Sequence, residues 1–359
     1  MKILIPLMSS LLVSGLAQVL AAPADAQAGA PAAAPAAVAP AAIVPPTPPS
    51  EREVGVAYTT WHQNPRWNNV WGTPALGFYA SDDRQVIRQH ATWLAEAGVD
   101  FVWEDWSNNI GYLFDPNKKR PDFDMIEGAT FTLFDEFARM RAEGLKTPRI
   151  SIFAGVTGAP EAVADGRLQR KADQIWNQFV ANPVYRPLVE MYQGKPLLVV
   201  YVNTPSPFQS GLPKWDDARF TVRWMTGYVT QQGALRAPGL VSKYGYWSWE
   251  DRGAQTYPIA NGHPEAMVVV ASWRKQGKPG GGPGYIAPGL RDGGATFREQ
   301  WARARQVGPR FATVVSWNEW SRGEQPSPEE SKDIEPSKEF GRLYLDILKD
   351  EIAKFKRGE

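Results

Sequence analysis

Glu319 has the surroundings most suited to chemistry. It lies in Ser316-Trp317-Asn318-Glu319-Trp320, directly after a strongly apolar run and between two tryptophans, a setting that favours the neutral form of a carboxyl group. Two further acid pairs, Glu104-Asp105 and Glu250-Asp251, also follow apolar runs. Two carboxyl groups facing one another across a cleft are the usual requirement for cleaving a glycosidic bond, one as proton donor and the other as nucleophile or base. Glu319 is thus expected to act with Glu104 or Asp105, or next with Glu250 or Asp251. Around these acids stand Tyr58, Trp61, His62, Trp106, Asn108, Asn203, Trp247, Trp249, Trp273, Arg274, Asn318, Trp320 and Arg322. Aromatic faces can stack on sugar C–H surfaces and amides can hydrogen-bond sugar hydroxyls, so this set reads as a carbohydrate-binding wall. Arg322 can hold Glu319 ionised or bind an anionic sugar.

Each of these residues also has a plainer reading. A tryptophan at a strand end can equally cap a core, and His62 can be a satisfied structural histidine. Glu104-Asp105 can cap a helix or pair with arginine. Asp82-Asp83 stands at the start of a helical pattern and reads as an N-cap.

The elements that must carry these residues alternate. Val54–Trp61, Val99–Trp103, Arg149–Phe153, Leu197–Val202, Phe220–Met225, Tyr244–Trp249, Met267–Ala271 and Phe311–Trp317 read as buried strands. Helical patterns over Asp83–Ala97, Thr130–Glu143, Gly166–Val180, Ala295–Val307 and Lys338–Phe355 separate or follow them. Gly98 is placed to end the first helix. Repeated strand–helix units over about 300 residues predict an α/β fold, a single (β/α)8 barrel, with function at the carboxyl ends of the strands. A doubly wound open sheet is the alternative, but no glycine-rich turn follows the first strand. The run from Lys278 to Gly284 is a loop without the Gly-Lys-Ser/Thr of a phosphate-binding motif.

Composition narrows the chemistry. The 359 residues contain no cysteine, which removes disulfides, thiolate metal sites and cysteine nucleophiles. Three histidines, His62, His90 and His263, make a histidine metal cage unexpected, so no metal and no cofactor is expected. A formal net charge of +1 argues against a nucleic-acid partner. Met1-Lys2, the apolar run Ile3–Leu20 and Ala24-Asp25-Ala26 read as an export signal over residues 1–26. Residues 27–52 are largely Ala and Pro and read as a spacer, leaving 53–359 as the barrel. The expected location is periplasmic or secreted, as a monomer without a membrane span in its mature form.

The same residues carry a resemblance. Tyr58-Thr59-Thr60-Trp61, Gly77-Phe78-Tyr79-Ala80-Ser81-Asp82-Asp83, Ile87-Arg88-Gln89-His90 and Ala97-Gly98-Val99-Asp100-Phe101 resemble the opening of the family 99 glycoside hydrolases, a group that includes endo-α-mannosidases and related family 71-like proteins. Ser316-Trp317-Asn318-Glu319-Trp320, Gly323, Ile334-Glu335-Pro336-Ser337 and Tyr344-Leu345 are similar to its close. The resemblance covers the start and end of the barrel. It implies a (β/α)8 glycosidase, usually metal-free, in which two glutamates three positions apart act as base and acid along a retaining, anhydro-sugar route. Glu319 matches the first, whereas Arg322 stands at the second and cannot deliver a proton at neutral pH. Two functions therefore lead: an exported glycoside hydrolase using a carboxylate from another strand end, or a non-catalytic glycan-binding protein on the same scaffold. A small-molecule transport receptor would show two lobes and a hinge, which the sequence lacks.

Overall fold

The computed structural model describes residues 44–63, 67, 69–111, 121–156, 160–202, 212–227, 241–253, 255–275, 286–321 and 326–359. The expected export signal, the spacer up to residue 43, the loop 278–284, Asn203 and Arg322 lie outside the described residues.

Eight parallel strands form the barrel: β1 (Glu53–Tyr58), β2 (Phe101–Trp106), β3 (Arg149–Gly155), β4 (Lys195–Tyr201), β5 (Thr221–Thr226), β6 (Trp247–Ser248), β7 (Ala266–Val270) and β8 (Phe311–Val315). Their order is β7-β8-β1-β2-β3-β4-β5-β6, and β6 lies beside β7 to bring the ring nearly to closure. Val56, for example, pairs with Val314 on one side and Val102 on the other. The expected single (β/α)8 barrel is the fold. Helices α1 (Arg84–Ala97), α2 (Pro121–Ala142), α3 (Arg167–Ile175, continued by a π-turn over Trp176–Val180), α4 (Ala295–Val307) and α5 (Leu343–Arg357) pack outside it. Among the described residues, no helix joins β4 to β5, β5 to β6 or β6 to β7.

Strand alternation divides the apolar residues between two cores. Ala57, Phe101, Trp103, Phe153, Val199, Met225, Val268, Val270, Phe311 and Val315 fill the barrel interior. Val56, Tyr58, Val102, Ile152, Leu198 and Val269 face outward to the helices. Gly55 has to be glycine for the interior to pack: a Cβ there would lie 2.3 Å from Cζ of Phe101, whose ring takes that space. Local signals set the helix ends. The Asp83 carboxylate accepts from the amide N–H groups of Gln85 and Val86, and Gly98 ends α1 in the left-handed region at φ 83°.

Residues 44–52 are docked at the amino-terminal end of the barrel. Thr47 N–H donates to the Gly308 carbonyl at 2.7 Å, and the Arg52 guanidinium donates to the carbonyls of Thr47 and Phe355 at 2.9 and 3.0 Å. Thr47 and Arg52 are buried, so the packed domain starts a few residues ahead of Glu53.

Candidate active site

β2 runs three residues further than its sequence pattern suggests, and this decides what its acids do. Phe101, Trp103 and Asp105 alternate inward, so Glu104 points outward toward α2. Glu104 is fully buried there, beside the Thr60 hydroxyl. Thr60 also lies 3.0 Å from the Ile126 carbonyl, and Glu104 Oε2 has no hydrogen-bond partner. A hydroxyl has one proton to give. The Thr60 hydroxyl shares that proton between Glu104 Oε1 and the Ile126 carbonyl, so the buried carboxyl is only weakly compensated. Burial accordingly pushes the Glu104 carboxyl well above the usual carboxylate range, with the Thr60 hydrogen bond pulling the other way and the charge of Asp105 adding to the rise.

Asp105 stands at the carboxyl-terminal mouth of the barrel. Its Oδ1 accepts from Ser107 N–H at 2.8 Å. Burial raises its pKa, against the opposing hydrogen bonds from Ser107 and the positive charge of Lys332. That lysine is the centre of the site. The Lys332 ammonium lies 3.0 Å from Oε2 of Glu319, beyond β8, and 3.3 Å from Oε2 of Glu250, beyond β6. Two oxygens on one ammonium at these distances are no more than about 6 Å apart, so the two carboxylates form a close pair bridged by one cation. Glu250 is braced from behind by the Arg252 guanidinium, whose Nε donates to Oε1 at 2.8 Å. Glu319, Glu250, Lys332 and Arg252 are each at most 6% exposed, so these charges meet in a poorly solvated space. The Trp249 ring lies 5.6 Å from the Lys332 nitrogen and stacks on Phe153 at 5.4 Å, with Tyr201 edge-on.

The other expected site residues divide into three groups. Trp249, Trp61, Trp273 and Arg274 are at or near the mouth, the last three half-buried, and Asn108 is exposed on the turn after β2. Several expected wall residues are instead seated within the packing. Trp106 faces the outer core, packs edge-on to Phe179 and donates its indole N–H to Thr130. Trp247 fills the barrel interior against Phe311 and donates to Glu265. Trp320 stacks on Trp71 at 4.5 Å and donates to Glu335. All three rings are 0–1% exposed and leave no free face for a sugar. Tyr58, also outward, meets His90 Nδ1 at 2.9 Å, and His90 Nε2 meets Glu335 at 3.0 Å.

The third group consists of fasteners. The Asn318 amide exchanges hydrogen bonds with the Thr59 backbone at 2.9 and 3.0 Å, tying β8 to β1. His62 stacks on Trp67 at 3.8 Å with its Nε2 3.0 Å from the Asn318 carbonyl. Burial lowers the His62 pKa to about 4, against the opposing hydrogen bond to Asn318, so the ring is neutral at pH 7. Asp251 accepts from Ser248 and Thr256 hydroxyls at 2.9 and 2.8 Å, closing its own loop.

No protein-family model matches the chain, and no curated protein matches it either. Solved structures do match. The family 99 endo-α-mannosidase from Bacteroides thetaiotaomicron, in complex with bis-tris-propane, superposes with a TM-score of 0.55 at 14% identity, covering 85% of this chain and 98% of that one. A second structure of that enzyme gives 0.53 at 14% identity over the same shares. At this identity the likeness establishes a shared fold.

Lys332, Arg252 and Asp333 were not singled out by the sequence. Lys332 and Asp333 sit in an acid-rich stretch, thirteen and fourteen positions after Glu319, with no periodicity to place them. Their only signal is adjacency to Ile334-Glu335-Pro336. Among the described residues, no group of three or more His, Asp or Glu side chains is arranged to hold a metal ion. No helix among them is long and apolar enough to cross a membrane. A hollow of about 430 Å3 lined by Lys195, Trp215, Asp216, Arg223 and Trp224 opens at the amino-terminal ends of β4 and β5, away from these acids.

Proposed function

We propose that the chain is an exported glycoside hydrolase in which Glu319 is the ionised nucleophile or base and Asp105 the proton donor. The observation that carries this reading is the meeting of Glu250 and Glu319, from two strand ends, on the single ammonium of Lys332, with Asp105 on the inward face at the end of β2. Glu250 is held by two cations, Arg252 and Lys332, and serves as the anchor for Lys332. Glu319 shares that ammonium and is kept ionised beside it. Asp105 is the member whose burial favours the neutral acid. With Asp105 protonated, two carboxylates balance the two cations Lys332 and Arg252, so the described cluster is electroneutral. Trp249 and Tyr201 would supply the apolar face for a sugar ring. The domain responsible is 53–359 together with the docked residues 44–52, with residues 1–26 directing export to the periplasm or medium and the tract from 27 onward linking the two.

The test is incubation of the purified protein with a panel of α- and β-linked oligosaccharides, following new reducing ends. Glu319→Gln should abolish release while leaving binding intact. Asp105→Asn should slow cleavage of natural linkages by about 100-fold or more, and much less for aryl glycosides with good leaving groups. Undiminished cleavage by Glu319→Gln would refute the assignment. One feature favours a second reading: the Lys332 bridge closes the gap between Glu319 and Glu250. A glycan-binding protein without catalysis would bind members of the panel and release no reducing ends on prolonged incubation.

A further inference from the structure

We propose that Asp333 is the positioning residue for Glu319, fixing its main chain so that the carboxylate meets Lys332. Backbone hydrogen bonds hold the segment after β8 at Ser316 and Trp317, which pair with Ala57, Lys332, Ile334 and Glu335. At Glu319 and Trp320 one carboxylate takes over. Asp333 Oδ1 accepts from Glu319 N–H at 2.7 Å and from the Ser316 hydroxyl at 2.6 Å. Its Oδ2 accepts from Trp320 N–H at 2.7 Å and from the Trp71 indole N–H at 2.9 Å. These four donors, with the Ser331 hydroxyl a fifth at 3.4 Å, converge on the two oxygens of a group 1% exposed and make a rigid set, since charge-assisted hydrogen bonds are short and strong.

The arrangement also holds a backbone conformation that would not persist unaided. Trp320 has φ 57°, in the left-handed region that a bulky side chain disfavours. Asp333 holds the peptide N–H of that residue, while Trp71 and Glu335 hold its ring. Asp333 is in turn fixed by Arg291. This buried guanidinium donates to the carbonyls of Ser331 and Asp333 and is enclosed by the rings of Trp71, Phe340 and Tyr344, at 5.1, 4.5 and 4.1 Å. Lys332 and Asp333 are neighbours of opposite charge with separate tasks: the lysine meets the Glu319 side chain and the aspartate meets its backbone.

The test is amide hydrogen exchange of Glu319 and Trp320 in the wild-type protein and in Asp333→Asn, whose amide nitrogen would confront these donors with another donor. In the wild type both amides should exchange at least about 100-fold more slowly than a free amide, and in the variant that protection should fall by about tenfold or more while the strands stay protected. Free exchange at both positions in the wild type would overturn the proposal even if the variant fails to fold. So would unchanged protection in a folded variant. The kinetic arm rests on the hydrolase reading: Asp333→Asn should lower kcat by about 100-fold with KM within about twofold, because a small displacement of a reacting group acts on the transition state. A protein without glycosidase activity would defeat that reading, and the exchange data would still decide the role of Asp333.

Discussion

Replacing Lys332 by methionine keeps most of the side-chain volume and removes the charge shared by Glu250 and Glu319. Both carboxylates lie within about 6 Å of each other and are almost fully buried, so at an effective dielectric of about 20 their repulsion is about 3 kcal/mol. Removing one partner of a buried ion pair costs about 3–5 kcal/mol in general, and the two figures agree. Lys332→Met should therefore be less stable by about 3–5 kcal/mol at pH 7.5, which for a barrel of this size lowers the melting temperature by about 10 °C. The loss should depend on pH in a definite direction. In the variant, the folded pair keeps a proton at pH values where the unfolded carboxyl groups, with pKa near 4.3, have released theirs. The folded state then binds more protons, so stability falls as pH rises above about 4.3 and levels once the pair is fully ionised. Unfolding followed by circular dichroism at pH 5 and pH 7.5 measures both effects. A variant within about 2 °C of the wild type at both pH values would refute the bridged arrangement.

Glu104→Gln should keep the fold within about 1 kcal/mol of the wild type at pH 7, because burial favours the neutral form of this carboxyl and glutamine is its neutral isostere. Its raised pKa gives wild-type stability that is present at low pH and lost as pH rises through the folded pKa; the glutamine variant should lack this slope in denaturant midpoints, and a loss above about 2 kcal/mol at pH 7 would mean an ionised Glu104. For His62 the sign is reversed. The folded ring stays neutral down to about pH 4 while the unfolded ring protonates near 6.5, so the wild type should lose up to about 3 kcal/mol as pH falls through that window. His62→Gln should flatten this limb in urea titrations, and an unaltered limb would show that His62 does not cause it.

The barrel was legible because its strands are continuous apolar runs and its helices carry local punctuation. Asp83 and Gly98 mark the ends of α1 where the sequence puts them, and α4 falls on the expected residues. The site was only partly legible. Three further ladder residues on β2, Glu104 to Trp106, turn Asp105 inward and Glu104 outward, and apolar patterning cannot resolve a strand end to that accuracy. The tryptophan excess contains two populations with the same local sequence character. Strand parity sorts Trp106 into the outer core and Trp247 and Trp249 into the inner one, with Trp249 at its mouth end beside Lys332. Lys332 and Asp333 depend on a long return of irregular chain, where no period relates sequence distance to space. What the sequence did place was Glu319, through an apolar strand that ends just before it.

The docked segment 44–52 gives the barrel a direction. It reaches β1 from the amino-terminal face, held by Gly308 and Phe355, whereas Asp105, Glu250 and Glu319 open on the other face. A solid support, fusion partner or surface attached ahead of residue 44 would approach the barrel from its floor and leave the mouth pointing away. Such an attachment would hold the protein in place while its mouth still faced the solution.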